Sequence, residues 1–358
     1  MAGAGNNGDW SGQLAVTGLG LVTPVGLSVD AAIAALRAGV SRLSRIESFV
    51  IEVDEGTFEP ATIAEVPELT RGRLGPARLS TMLLPAFEEV IQDAEIKPGI
   101  KLGVYLGTNG SSPAGRLLDY GSATRQVLLD SVPEGYEIVH AKLVPAGRAS
   151  VLQSVRTAAK ALEDNVVDVA IIGAVDSWVT PRALSWLQAN GKLAEYPRRT
   201  GTIPGEGAGL IALESPQHAQ QRSAKIYASI AASAGRHESI QWGEPSNAVA
   251  LTQSIQSVVG NVNESNAVVI SDLSGERYRA QEWLMALPKA MWPYKTMMHW
   301  NPAECIGDTG AASGAIMLAW AAWALRKGYT GVGSILVWGA SDEGAREAVM
   351  VQAAGATS

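Results

Sequence analysis

Short, nearly continuous runs of apolar residues recur along the chain. The clearest are LAVTGLGLV, KLGVYLG, VVDVAIIGAV and GLIALE in the first part, and NAVVIS and GSILVWGA in the second. Continuous apolar strands are typical of sheets that are buried on both faces, and most such sheets are parallel. The pattern therefore predicts an α/β protein with mostly parallel sheets that lie between layers of helices.

Between these runs lie stretches whose apolar residues recur at helical spacing. Helices are predicted at residues 75–96 and in SVDAAIAALRAG, SVLQSVRTAAKALEDN, NAVALTQSIQSVVGNV, RYRAQEWLMAL and TGAASGAIMLAWAAWALRKG. The elements follow a similar order on both sides of a polar segment near residues 215–225. This order predicts two similar halves, 13–218 and 224–358, although their residues do not repeat visibly. The first twelve residues are polar and glycine-rich, and we expect them to be frayed.

Composition and charge narrow the class of protein. The chain has 358 residues, 47% of them apolar, and a net charge of −7, with no basic run that would favour nucleic acid or an anionic membrane. The sequence shows neither a signal peptide nor a membrane span. A single cysteine and four scattered histidines predict no internal disulfide, metal site or cofactor. The expected location is the reducing cytoplasm.

Four stretches resemble motifs of the β-ketoacyl synthases, a branch of the thiolase superfamily. They are VTGLGLVTPVGLSVDAAIAALRAGVSRL, VVDVAIIGAVDSWVTPRAL, PRRTGTIPGEGAGLIALES and IGDTGAASGAI. They occur in the family's order along most of the chain. The resemblance implies a five-layer αβαβα sandwich of two similar halves, which is usually a homodimer that pairs across a central strand.

The family's chemistry requires a cysteine thiolate at a helix N-terminus and two further residues, both His or one His and one Asn. With Asp168 as the residue that opens the central strand, the position matched to the cysteine is Arg148. The matched histidine positions are Ser274 and Asp308. Arginine stays protonated and cannot act as a nucleophile. The resemblance therefore implies a degenerate ketosynthase site in which no catalytic residue is expected.

Several readings of these substitutions remain open. Arg148 and Asp308 match positions that face one another in the family, so they are candidates for an ion pair that fills the former active site. Asp308 is alternatively a base or a helix cap. Ser150 is a weak candidate nucleophile, because a serine needs a base beside it. Cys305, three residues before Asp308, is expected to be a buried bystander.

Three further features bear on function. In the stretch WGASDEG, Asp342 and Glu343 stand where the family has an apolar gate. The loop-like segment Met291–Pro302 is rich in Trp and Met, and its Trp292, Tyr294 and Trp300 form either a lid over the acyl tunnel or a docking surface. The charges in DLSGERYRAQEW are expected to form a solvated, internally paired helix face.

The sequence therefore favours a catalytically inactive bacterial protein of the ketosynthase fold that acts through protein–protein contact. It would be an adaptor, a chaperone or a partner subunit, with a link to bacterial effector secretion as one candidate role, and a homodimer is expected. Candidate partners are a secreted effector, a ketosynthase or an acyl carrier protein. The alternatives are an acyltransferase or thioesterase that acts on acyl carrier protein or acyl-CoA thioesters through a non-standard site, and a protein that only binds an acyl ligand.

Overall fold

Ten strands form one mixed sheet in the computed structural model, which describes residues 9–110, 120–194, 200–239, 245–260, 265–292 and 294–355. The sheet order is β10-β9-β11-β12-β8-β1-β7-β6-β4-β5, and β2 and β3 form a separate hairpin. The strands are β1 (Trp10–Val22), β2 (Ser44–Asp54), β3 (Thr57–Ile63), β4 (Lys101–Thr108), β5 (Glu137–Pro145), β6 (Val169–Ser177), β7 (Glu206–Glu214), β8 (Ala228–His237), β9 (Asn266–Ser271), β10 (Thr296–Trp300), β11 (Ser334–Ala340) and β12 (Ala345–Ala353).

The two halves of the sheet have the same topology. Each half contributes five strands to this sheet: β1, β4, β5, β6 and β7 from the first half, and β8 to β12 from the second. If these five are numbered in chain order, the first is followed outward by the fifth, fourth, second and third in both halves. The first strands, β1 and β8, pair antiparallel and join the halves. Strand pairings at the outer ends are parallel and those towards the centre are antiparallel. The prediction of mostly parallel sheets was therefore wrong, whereas the similar element order is present. The boundaries at 218 and 224 stay a prediction.

The helices are α1 (Val29–Arg37), α2 (Pro67–Thr70), α3 (Gly75–Asp93), α4 (Gly121–Asp130), α5 (Ser150–Glu163), α6 (Pro181–Ala189), α7 (Pro216–Gln221), α8 (Val249–Val259), α9 (Arg277–Ala290), α10 (Ala303–Ile306) and α11 (Ser313–Lys327). Short 3₁₀ turns, Gly147–Ala149 and Gly310–Ala312, precede α5 and α11. Each turn begins with a glycine at positive φ, +52° at Gly147 and +55° at Gly310, where a side chain would be strained.

The helices and the sheet form five layers. Helices α5 and α11 lie in the centre, and their apolar residues pack against both halves of the sheet in one continuous core. A Cβ on Gly314 would lie 3.0 Å from Val151 Cβ, so this glycine lets the two central helices approach closely. On the outside, α3 covers the first half of the sheet, and α8 and α9 cover the second. The predicted αβαβα sandwich is confirmed.

Several local expectations were wrong. The expectation of frayed residues 1–12 is wrong from Trp10 onward, because Trp10 begins β1 and pairs with Ser233 of β8; residues 1–8 lie outside the described residues. The segment Met291–Pro302 is not all loop, because Thr296–Trp300 pairs with β9 as an edge strand. The hairpin β2–β3 and the strands β5 and β12 were not predicted. Among the described residues, no helix is both long and apolar enough to cross a membrane.

Candidate functional site

The position matched to the family's cysteine lies at a sharp turn before a central helix. Arg148 is the middle residue of the 3₁₀ turn Gly147–Ala149, and α5 begins directly after it. Its side chain is only 6% exposed. A cation is disfavoured both by burial and by the positive end of a helix. Arg148 therefore requires carboxylates close by.

Asp308 supplies the nearest carboxylate. Arg148 Nε donates to both of its oxygens at 3.1 and 3.0 Å, and Nη2 also donates to Oδ2. Thr202 Oγ1 donates to Oδ2 at 3.1 Å, and the Gly310 amide donates to Oδ1 at 2.9 Å. The ion pair predicted between these two positions is present. Burial opposes ionisation of Asp308, but the guanidinium and these donors outweigh it and hold the pKa of the carboxyl below its usual value.

The glycine-rich segment before β7 holds Asp308 in place. The Asp308 amide donates to the Ile203 carbonyl at 2.7 Å, and the Gly205 amide donates to the Asp308 carbonyl at 2.9 Å. A Cβ on Gly205 would lie 2.3 Å from the Ile306 carbonyl oxygen. The stretch GEGAG therefore has a packing role where the chain enters β7, because only glycine permits this close approach.

Three further charged residues extend the ion pair into a network. Arg148 lies 3.7 Å from Glu276 and 3.5 Å from Asp342, measured between its Nη atoms and a carboxylate oxygen. Lys192 Nζ bridges the same two carboxylates at 2.8 and 3.6 Å. Tyr278 donates its hydroxyl to Asp342 at 2.7 Å. Asp342, which stands in the place of the family's apolar gate, is therefore tied to the site. Burial opposes its ionisation, but Arg148 and Lys192 lower the pKa of Asp342 despite this.

The helix face predicted to be solvated is mostly buried. Glu276, Arg279 and Glu282 are each 5% exposed or less, and only Arg277 of the four charges is exposed. Arg279 Nη2 lies 2.5 Å from Asp272, and Glu282 accepts from Arg346 Nε at 2.7 Å. That prediction was wrong because α9 lies on the sheet with this face inward. Sequence spacing does not reveal which face of a charged helix is covered.

A second buried carboxylate lies beside the turn before α11. Asp176, at the end of β6, accepts from the Ala311 amide at 3.0 Å, the Ser177 amide at 2.8 Å and Asn109 Nδ2 at 3.1 Å. No cation pairs with it among the described residues. Burial raises the pKa of Asp176 to about 6, in spite of these donors.

The remaining predicted site residues do not form a reactive group. Ser150 and Ser274 are buried, and neither hydroxyl oxygen has a hydrogen-bond partner among the residues that the structure describes, so none of these residues provides a base. A Cβ on Gly107 would lie 2.2 Å from Ser150 Oγ, so this hydroxyl faces strand β4. Cys305 is 8% exposed within the central core, and burial raises the pKa of its thiol.

The three aromatic residues predicted to form one surface lie in different surroundings. The Trp292 side chain is 78% exposed. Tyr294 is half-buried against the core beneath α8 and α9. Trp300 stacks on Trp320 of α11 with ring centroids 5.0 Å apart. Only Trp292 is freely available for docking.

Two cavities adjoin the site. One has a volume of about 390 Å³ and opens to solvent; Lys192, Glu276 and Tyr278 are among the residues that line it. The other lies beside Asp176 and Asn109 and has a volume of about 20 Å³, which is room for a single water molecule. Among the described residues, no group of three or more His, Cys, Asp or Glu side chains could hold a metal ion.

The amino-acid sequence of this chain is similar to those of curated β-ketoacyl synthases. The chain is 25% identical over 260 residues to 3-oxoacyl-[acyl-carrier-protein] synthase 2 of Coxiella burnetii, which covers 61% of each chain. It is 25% identical over 272 residues to the corresponding enzyme of Rhizobium meliloti, covering 61% of this chain and 62% of the relative. The matches thus span about three-fifths of the curated relatives. No family model matches the chain.

Solved structures show the same fold. A type II polyketide ketosynthase complex with its acyl carrier protein (AntDE:AntF) superposes with a TM-score of 0.80 at 17% identity, covering 96% of this chain and 100% of that one. The ishigamide ketosynthase/chain length factor gives 0.76 at 18% identity, with 97% and 100% covered. The chain is thus similar in sequence to β-ketoacyl synthases over about three-fifths of its length, and it has the fold of the ketosynthase structures.

Proposed function

We propose that this protein has the ketosynthase fold without ketosynthase chemistry and acts by binding another protein. The observation that carries the proposal is the buried Arg148–Asp308 ion pair, which stands where the family needs a thiolate and a histidine. A guanidinium held by three carboxylates has no nucleophilic electron pair to offer. The former reaction centre is filled by a structural network.

The surroundings of the ion pair support this proposal. Asp342 and Lys192 join the gate segment to the ion pair, which leaves a fixed charge where a substrate chain would pass. The cavity beside Asp176 has a volume of about 20 Å³, far below the roughly 300 Å³ of small ligand pockets. These features argue against the acyltransferase and the thioesterase.

The partner would be a protein of the bacterial cytoplasm. One structural neighbour is a ketosynthase complex with an acyl carrier protein, and another is a ketosynthase/chain length factor. By analogy, we infer a partner subunit, or else an adaptor or chaperone for a secreted effector. A homodimer is compatible with this role, because β5 ends the sheet and an edge strand can pair with a second copy.

The proposal is tested with purified protein and acyl thioesters. The chain is incubated with malonyl-CoA, acetyl-CoA or acyl carrier protein thioesters, beside an active ketosynthase as positive control. We expect no adduct by intact mass, no release of CO₂ and no labelling by a fluorophosphonate. An adduct that Ser150→Ala abolishes would establish an enzyme, and a thermal shift with acyl-CoA alone would establish a ligand binder.

The binding role needs its own experiment. The tagged chain is used to capture proteins from its native host, and the main candidate is then purified and mixed with it. We expect a complex of defined stoichiometry by light scattering. A chain that forms no complex with any candidate contradicts the proposed function.

A further inference from the structure

Helix α9 has apolar side chains on the side that faces solvent. Leu284, Met285 and Trp292 are 64%, 45% and 78% exposed, and Pro288 between them is also exposed. Leu284, Pro288 and Trp292 are four positions apart, which places residues on one side of a helix, and Met285 lies beside them. Trp292 follows the last residue of α9 by two positions. These four residues form the α9 stripe, which lies outside the core.

A cavity of about 280 Å³ opens beside the first part of the α9 stripe. Leu284 and Met285 line it on one side, together with Tyr278, and Pro245 lines it from the segment before α8. Exposed apolar patches often mark binding surfaces, and the anchors of an interface are large side chains that fill such cavities. The stripe and the cavity therefore fit a partner that inserts an apolar side chain beside α9.

The exposed charges around the α9 stripe are all positive. Among the described residues between 245 and 300, Arg277, Lys289 and Lys295 are exposed, whereas every carboxylate is buried. Each of these carboxylates is paired inside the protein: Asp272 with Arg279, Glu276 with Lys192, and Glu282 with Arg346. Helix α8, the neighbour of α9 in the outer layer, has no charged residue. This face is therefore complementary to carboxylates, on a chain whose net charge is −7.

The positive charge is stronger at the C-terminal end of the stripe. Arg277, at the other end, borders the buried network, which has one more carboxylate than cations and offsets its charge. The members are Asp272, Glu276, Asp308 and Asp342 against Arg148, Lys192 and Arg279. Neither Lys289 nor Lys295 forms an ion pair with another described residue. Carboxylates of a partner are therefore expected near these two lysines.

The shape of the stripe fits a helix. Leu284 and Trp292 are eight positions apart, which is about 12 Å along a helix axis. Side chains at this spacing form a ridge that packs into the groove of a second helix. An extended segment would instead need the unpaired backbone of a sheet edge, which a helix does not offer. An amphipathic helix of about three turns covers the stripe.

We propose that the α9 stripe binds an amphipathic helix of a partner protein, with apolar side chains on Leu284, Met285 and Trp292 and carboxylates near Lys289 and Lys295. The inference rests on the proposed binding function and names the chemistry of the partner's contact surface. Apolar contact supplies most of the affinity, and the charges guide association and orientation.

Two other occupants fit the stripe less well. An anionic membrane usually requires a cluster of about four to eight basic residues, whereas this face has three and the whole chain is acidic. A second copy of the chain would bring two faces together whose exposed charges are all positive, and like charges across an interface repel. A partner with carboxylates has neither disadvantage.

The test selects helical peptides that are displayed on phage against the full chain. Each peptide has an alanine-rich background of about eighteen residues, since shorter helices are marginal in water, and random residues along one side. We expect enrichment of apolar residues three or four positions apart, with Asp or Glu near one end. A fluorescein-labelled copy of the most enriched peptide is then titrated by anisotropy.

Substitutions at exposed positions measure the apolar contact without disturbing the core. Leu284→Asp and Trp292→Ala should each weaken binding of the labelled peptide at least about ten-fold, because each removes a large apolar side chain from the contact. The matched control is Leu74→Asp, at the start of α3 in the other half of the molecule, where the side chain is 65% exposed. This variant should bind the peptide as wild type does.

Charge reversal tests the inequality between the two ends of the stripe. Lys289→Glu combined with Lys295→Glu should weaken binding about ten-fold, mainly through slower association, and should remove most of its salt dependence. Arg277→Glu should weaken binding only about two-fold, because the network behind it already offsets its charge. Lys97→Glu combined with Arg71→Glu, at exposed residues of the other half, is the control and should have no effect.

Four results would overturn the proposal. The selection could enrich no acidic amphipathic sequence, or Leu284→Asp could leave peptide binding unaltered. The wild-type chain could float with vesicles of phosphatidylethanolamine and phosphatidylglycerol while Leu284→Asp does not, which would assign the stripe to a membrane. Light scattering could show a self-association that Leu284→Asp abolishes, which would assign it to a second copy.

A partner captured from the native host separates this failure from that of the proposed function. If the native complex survives Leu284→Asp combined with Trp292→Ala, the binding function stands and the α9 stripe is not its site. If that double variant loses the complex, while Leu74→Asp keeps it, both proposals are supported.

Discussion

Asp308 and Asp176 are two buried carboxylates that accept hydrogen bonds from adjacent amides of one turn. Their pKa values are shifted in opposite directions. The Gly310 amide donates to Asp308, and the Ala311 amide donates to Asp176. Asp308 is paired with Arg148 and its pKa is lowered, whereas Asp176 pairs with no cation in the described part of the chain and its pKa is raised to about 6. The comparison shows that the neighbouring cation, and not burial alone, sets the direction in which the pKa of a buried carboxylate shifts in this site.

The largest expected effect comes from removing one member of the ion pair. Asp308→Asn leaves the Arg148 guanidinium buried without its main partner, and should lower the free energy of unfolding by about 3–5 kcal/mol. Urea unfolding measures the loss. The matched control is Asp130→Asn, at an exposed residue, which should change stability by less than about 0.5 kcal/mol.

A double variant checks that the loss reflects the pairing. Arg148→Met with Asp308→Leu removes both charges together and should recover much of the stability lost in Asp308→Asn, because neither member of the pair is left buried without the other and Lys192 still pairs with Glu276 and Asp342. If the double variant loses as much as the single variants Arg148→Met and Asp308→Leu added together, the two residues are not coupled.

The two glycine turns provide the next comparison. Gly310→Ala places a Cβ 2.0 Å from Asp176 Oδ2 at a φ of +55°. Gly147→Ala has a similar φ of +52°, but the nearest atom is 3.6 Å away. We expect a loss of about 2 kcal/mol or more for Gly310→Ala, and about 1 kcal/mol for Gly147→Ala from backbone strain alone. Thermal unfolding of both variants tests this, and equal losses would show that Asp176 does not restrict the turn.

Stability should depend on pH through Asp176 in a defined direction. Its pKa in the folded protein is about 6, above the ordinary aspartate value of 3.8, so the folded state binds the proton more tightly. The protein should therefore gain about 1 kcal/mol from this group as the pH falls from 7 to 5. Asp308, with a lowered pKa, contributes stability that is lost only when the pH falls below the ordinary aspartate range.

The measurement compares wild type with Asp176→Asn in urea at pH 7, 6 and 5. The variant cannot titrate at this position, so the difference in stability between the two proteins should change with pH in favour of wild type at pH 5. Parallel curves for the two proteins would contradict a raised pKa at Asp176.

The sequence predicted the central pair but not the network around it. Arg148 and Asp308 could be paired in advance because the family's motif assigns them to facing positions. Glu276 and Lys192 could not, because they lie 84 residues apart and their meeting depends on how α9 lies on the sheet. The charged face of α9 has the spacing of a solvated helix, and only the packing above it shows that it is buried.

Edge strands limited the prediction of the fold in a similar way. The central strand β6 is buried at every position, and its continuous apolar run was recognised. β5 alternates between exposed and partly buried residues, and β10 has only five residues. Neither has a continuous apolar run, because an edge strand is not covered on every side.

The smallest expected effects come from the side chains that donate to the two carboxylates. Thr202→Val removes a hydrogen bond to Asp308, and Asn109→Ala removes one to Asp176. Each should cost about 0.5–1.5 kcal/mol at pH 7. The loss for Thr202→Val should be the same at pH 7 and pH 5, because Asp308 stays ionised at both. The loss for Asn109→Ala should shrink at pH 5, because protonated Asp176 depends less on that donor. Identical pH profiles for the two variants would mean that Asp308 and Asp176 do not differ in ionisation between pH 7 and pH 5, and would contradict the opposite pKa shifts.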